Sequence, residues 1–214
     1  MKMILVHPLI SVRLQVLWWG IFALVLLWSG YAPKEISTWV LEVIPALIGA
    51  VLILGTQHRF PLTPLLLWLI LLHCLILMVG GHYTYAEVPL FDWIRDITHG
   101  SRNNYDKVGH FAQGFIPAIL AREILLRLNV VQGNKWRFYL VLCIVLSFSA
   151  FYELIEWWVA LLSDDAADSF LGTQGYIWDT QSDMFYALAG AIVALLLLGR
   201  WHDAQLSRLK LAQR

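Results

Sequence analysis

The chain has 214 residues, 59% of them hydrophobic and only 14% charged, with a mean hydropathy of +0.66. Soluble domains carry roughly 25% charged residues; a domain of this size cannot hide so much apolar surface, so a water-soluble globule is excluded and lipid is the expected solvent. Fifteen Lys and Arg balance fifteen Asp and Glu, so net charge points to no nucleic-acid partner.

A spanning helix needs about 20 predominantly apolar residues. Six segments qualify: 13–31, 38–56, 64–81, 107–128, 138–162 and 183–200. The expected fold is therefore all-α, a polytopic membrane helix bundle forming a single domain over residues 1–214. The first segment precedes Ser29, Gly30 and Ala32 as a signal peptide would, but Pro33 follows directly and the segment is long, so it reads as a retained anchor. Pro45 and Pro117 should kink the second and fourth helices. The fourth segment is the least apolar, carrying His110, Gln113, Arg122 and Glu123, and is expected inside the bundle. Cys74 and Cys143 lie in apolar runs and read as inert core thiols.

Lys and Arg bias sets orientation. With the N-terminus in the cytoplasm, eleven of the fifteen basic residues fall inside, leaving Lys34, Arg95, Arg102 and Lys107 outside. Trp18, Trp19, Trp136 and Trp201 then mark the inner interface, and Trp28, Trp39, Trp157, Trp158 and Trp178 the outer one. The prediction is N-in, C-in. Both long loops, 82–106 and 163–182, become external. Within the first, "PLFDWIRDI" suits a short interfacial helix. The second contains Asp164, Asp165 and Asp168, which read most simply as a solvated loop.

The polar exceptions converge. Glu153 and Glu156 of "FYELIEWW" share a helix face, and Glu153 lies nine residues, about 13 Å, from the outer end of its segment. A charge at the bilayer centre costs on the order of 2.5–3.5 kcal/mol, so such a pair marks a site. Asp106 and His110 are spaced i, i+4 at the start of the fourth helix, and Asp179 and Asp183 likewise at the start of the sixth. All six fall in the outer half, with His82 near enough to join. Bland roles compete: Asp106 as a helix cap, Thr180 with Asp183 as a capping box, His110 as a hydrogen-bonded bundle histidine, Glu42 as a partner of a neighbouring helix.

One imidazole with several carboxylates and no thiolate suits Mg²⁺, Mn²⁺ or Zn²⁺, with Asp106, His110, Glu153, Asp179 and Asp183 as candidate ligands. Without metal, Glu153, His110, Asp183 and Glu156 could serve as general acids and bases. Either arrangement opens toward the headgroups of membrane lipids or lipid-linked sugars, where Arg95, Arg102 and Lys107 could engage an anionic group. No G-x-S-x-G, H-E-x-x-H or Gly-rich phosphate loop is present. The alternative is a non-enzymatic envelope factor, or a carrier of a small solute or protons. A carrier needs polar groups on both sides, whereas the inner halves of these helices hold little acid besides Glu123.

The blocks "GGHYTYAEVP", "RNNYDKVGHFAQGF", "YELIEWW" and "TQGYIWDTQSDMFYALAG" resemble those of YjdF-type bacterial inner-membrane proteins over nearly the whole chain. That family is a domain of unknown function, so the resemblance implies topology and compartment and supplies no reaction. A more distant similarity is to VanZ-like membrane proteins. Asp106, Lys107, His110 and Phe111 fit their D-K-x-x-H-F block, Glu153 their next acidic position with Glu156 replacing Gln, and Asp183 and Gly190 their last block. Ala187 stands where Asn is expected, and no Arg precedes Asp183. This second resemblance implies envelope chemistry.

Overall fold

The computed structural model describes residues 9–162 and 174–212, and every regular element among them is helical. The order is α1 (Val12–Gly30), α2 (Ile36–Thr56), α3 (Pro64–Tyr83), a 3₁₀ turn (Tyr85–Glu87), α4 (Pro89–Thr98), α5 (Tyr105–Arg127), α6 (Asn134–Leu162) and α7 (Asp179–Ala212). Local chemistry sets the boundaries. Ser11 and Thr63 cap α1 and α3 by accepting from the amides of Leu14 and Leu66, each worth about 1 kcal/mol. Pro64 starts α3, where a missing N–H costs nothing. His99 ends α4 in the left-handed conformation.

Five helices, α1, α2, α3, α6 and α7, are long and apolar enough to cross a membrane. α5 is not apolar enough, because its polar groups face inward, and it packs against α3, α6 and α7 at the centre of the bundle. The outer surfaces of the other helices are greasy, as at Leu27, Val51, Phe148 and Leu197, which is the arrangement lipid demands. Cys74 is buried as expected, but Cys143 lies on the exposed face of α6, so it is not a core thiol.

α5 and α7 form the closest pair. A methyl group on Gly114 would run into the Ala187 carbonyl, and one on Gly190 into that of Phe111. Only glycine permits this approach. Ala187, Ala191 and Ala194 continue the seam, fully buried. α7 also runs well past the expected end at residue 200. Its tail is held down because Leu206 and Leu209 are buried and the Gln205 side chain accepts from the Leu65 amide at 2.8 Å.

Candidate functional site

The first turns of α5 and α7 face each other beside α6, and this brings the expected acids together. Asp106, Lys107, His110, Glu153, Glu156, Asp179 and Asp183 are all buried. Asp106 is not the cap of α5: Asn104 holds that position, without a side-chain cap bond. Instead Asp106 turns inward. Its Oδ1 lies 3.1 Å from His110 Nε2, and its Oδ2 lies 3.3 Å from Arg102 and 3.4 Å from Lys107. Asp183 accepts from Lys107 at 2.5 Å, and Asp179 accepts from Lys107 at 3.0 Å and from Arg102 at 2.6 Å. Both cations thus lie among three aspartates, with the Tyr176 ring 5.6 and 5.7 Å away.

On the other side of the imidazole the pattern changes. His110 Nδ1 lies 3.1 Å from the Gln113 side-chain oxygen and 4.0 Å from Glu153 Oε1. That Glu153 oxygen is buried and has no hydrogen-bond partner. Asp106, His110 and Asp183 offer ligand atoms within 4.8 Å of one another, as do His110, Glu153 and Glu156. Because the ionised Asp106 carboxylate can only accept, His110 donates to it through Nε2–H. The Gln113 side-chain oxygen can only accept as well, so Nδ1–H donates to it and both ring nitrogens are donors, leaving His110 an imidazolium beside the glutamates. A carboxylate holding one imidazole nitrogen is also the usual support of a metal-binding histidine, and a metal ion here would have to take the place of the Nδ1 proton.

Other expected members lie elsewhere. Arg95 sits on α4, 2.8 Å from Asp92 and 3.0 Å from Asp96. His82 does not join: its Nδ1 is 3.0 Å from the Ser29 carbonyl and its ring packs on Trp28. Asp164, Asp165 and Asp168 lie outside the described residues. Glu42 does meet a neighbouring helix, accepting from the Tyr152 hydroxyl at 3.2 Å. Asn103, fully buried, fixes the approach to α5: its amide donates to the Val88 carbonyl and Asp92, and its backbone exchanges hydrogen bonds with Gln174. No apolar pattern marks Asn103, and the sequence reading missed it.

Residues 14–204 match the family described as Predicted membrane protein (DUF2238). The chain belongs to this family. A curated relative, the Inner membrane protein YjdF of Escherichia coli (strain K12), is 53% identical over 185 residues, covering 86% of this chain and 88% of that protein. No solved structure matches the chain. This DUF2238 member is an integral, multi-pass protein of the inner membrane.

A second buried polar cluster lies at the opposite end of α5 and α7 in the same protein. Glu123 and His202 are both fully buried. Glu123 accepts from the Thr63 amide and hydroxyl at 3.1 and 2.8 Å and from Arg127 at 2.9 Å. His202 Nε2 lies 3.0 Å from Glu123, and its Nδ1 lies 2.9 Å from Arg122. Arginine can only donate, so Nδ1 accepts and Nε2–H donates to Glu123. The sequence reading paired Glu123 neither with Arg127, four residues on, nor with His202, 79 residues away.

Proposed function

We propose that the α5–α6–α7 cluster is an intramembrane carboxylate–histidine centre, built from His110, Glu153 and Glu156, oriented by Asp106 and flanked by Asp183. It binds a proton or a divalent cation and acts on the headgroup of a membrane lipid or lipid-linked sugar from the periplasmic side. The observation that carries this reading is Glu153 Oε1, buried without a partner and facing His110 Nδ1 at 4.0 Å. Leaving such an atom unsatisfied costs about 1–3 kcal/mol, a cost that persists where a ligand completes the site. Five buried carboxylates gather here, and only three of them, Asp106, Asp179 and Asp183, meet Arg102 or Lys107, so the centre attracts positive charge. A divalent ion held by His110, Glu153 and Glu156 would polarise a headgroup oxygen and activate water. Arg102 and Lys107 reach an anionic headgroup only by sharing it with Asp106, Asp179 and Asp183.

A carrier is the second reading, and the Glu123–His202 cluster at the other end favours it. Against it, about 20 Å of helix separates His110 from Glu123, and Ala118, Ile119, Ala191 and Ala194 between them are fully buried and apolar.

The test compares Glu153→Gln with Glu156→Gln, using metal content of the purified protein and complementation of a deletion strain. Glu153→Gln should fold and lose both readouts. Glu156→Gln keeps an amide oxygen at that position and should retain most of both. A fully active Glu153→Gln defeats the proposal. The placement at the periplasmic face has its own check: reporter fusions after residue 132 and at the C-terminus should read cytoplasmic, and a fusion near residue 95 periplasmic.

A further inference from the structure

A cavity of about 290 Å³ opens between α5, α6 and α7 at the end of the bundle opposite the carboxylate centre. Such a volume is near the lower end for small-molecule pockets. Its polar wall holds Arg122, Arg137 and Arg200 against one carboxylate, Asp203. Asp203 is already engaged by Arg122 at 2.7 Å. Arg137 donates to the Asn134 side chain. Arg137 and Arg200 have no carboxylate partner among the described residues. The first turn of α6, at Asn134, also lines the cavity and adds the positive end of its helix dipole. Deeper in, Val141 and Leu195 supply an apolar floor.

The surroundings fix what kind of anion fits. Trp136, Tyr139 and Trp201 stand exposed at 65%, 57% and 57% beside Arg137 and Arg200. Exposed tryptophans and tyrosines at one level of a membrane helix bundle mark the headgroup interface. A pocket that is basic at that level and apolar one turn deeper matches a phosphodiester with acyl chains attached. It does not match a soluble anion, which has no use for the floor. Basic pockets between spanning helices on the cytoplasmic side are suited to anionic headgroups.

We infer that this pocket seats one anionic glycerophospholipid of the cytoplasmic leaflet. Its phosphate is held by Arg137 and Arg200, and its acyl chain enters along Val141 and Leu195. The inference is independent of the carboxylate centre.

The experiment uses the whole protein, delipidated in mild detergent and then titrated with phosphatidylglycerol, phosphatidylcholine or inorganic phosphate. Native mass spectrometry reads bound lipid, and thermal unfolding reads stabilisation. Wild type should retain one phosphatidylglycerol and gain thermal stability, while phosphatidylcholine and inorganic phosphate give neither. Arg137→Gln with Arg200→Gln should weaken retention at least about tenfold; Arg200→Gln alone is the fallback if the double variant does not fold. Arg208→Gln, outside the pocket, and Glu153→Gln should both bind as wild type does, so failure here is separate from failure of the carboxylate centre. Equal binding by the double variant overturns the proposal. Equal stabilisation by inorganic phosphate overturns the lipid assignment, and equal binding of phosphatidylcholine overturns the role of charge.

Discussion

The two ends of the α5–α7 pair carry buried clusters of similar residue types in opposite states of completion. At the Glu123 end, one carboxylate meets two hydrogen bonds from Thr63, one from Arg127 and one from His202. At the Glu153 end, an excess of carboxylates surrounds two cations, and one Glu153 oxygen has no hydrogen-bond partner. A completed network rigidifies a fold. An incomplete one costs stability and persists where a ligand or proton completes it. Burial and charge alone would have ranked the clusters alike; satisfaction separates them.

The comparison breaks most easily at Glu123. Its replacement by Ala leaves His202 Nε2 and the Thr63 amide without an acceptor in the interior and Arg127 with only the Pro61 carbonyl, and breaking a buried pair this way costs about 3–5 kcal/mol. The expected outcome is loss of folded protein from the membrane, measured as detergent-stable, monodisperse material. Substitution of Gly114 by Ala should come next. The added methyl meets the Ala187 backbone, and overpacking of this kind costs typically 1–3 kcal/mol. Because the seam sets the register of both clusters, thermal stability and complementation should fall together.

At Glu153 the two states should part. Glu153→Gln removes a buried carboxylate whose Oε1 has no hydrogen-bond partner, so thermal stability should stay level or rise, while complementation is lost. The equivalent Glu123→Gln removes the ionic half of a satisfied network, so stability should fall by about 1–3 kcal/mol. If both Gln variants lose stability alike, the Glu153 cluster is as structural as the Glu123 one.

Much of this was legible from the sequence. Hydropathy located α1 to α3 and α6 because lipid enforces long apolar runs. The i, i+4 spacing of Asp106 with His110, and of Asp179 with Asp183, put those acids on common faces. What escaped depended on contacts distant in the chain. His202 lies beyond the expected sixth span and finds Glu123 only because α7 continues. Glu42 reaches Tyr152 across 110 residues. His82 lies at the expected end of α3 for the Glu153 cluster but turns to Ser29 and Trp28 instead, which periodicity in an all-round apolar helix cannot reveal.

The smallest effect is expected at Arg95, and it bears on which cations serve the carboxylate–histidine site. Arg102 and Lys107 have side chains only 12% and 10% exposed and lie among three aspartates. The Arg95 side chain is 33% exposed and pairs with Asp92 and Asp96 on its own helix. Partly exposed pairs of this kind contribute about 0–1 kcal/mol, so Arg95→Gln should leave thermal stability nearly unchanged. Asp92 also holds the Asn103 side chain at 3.0 Å, and that bond does not involve the guanidinium, so the entry to α5 should stay in place. A headgroup contact at Arg95 would then show as weaker complementation at unchanged membrane abundance and melting temperature. Full complementation would leave recognition of the headgroup to the buried Arg102 and Lys107, which can reach it only by loosening their hold on the aspartates. Membrane abundance, melting temperature and complementation of the one variant, measured together, separate the two outcomes.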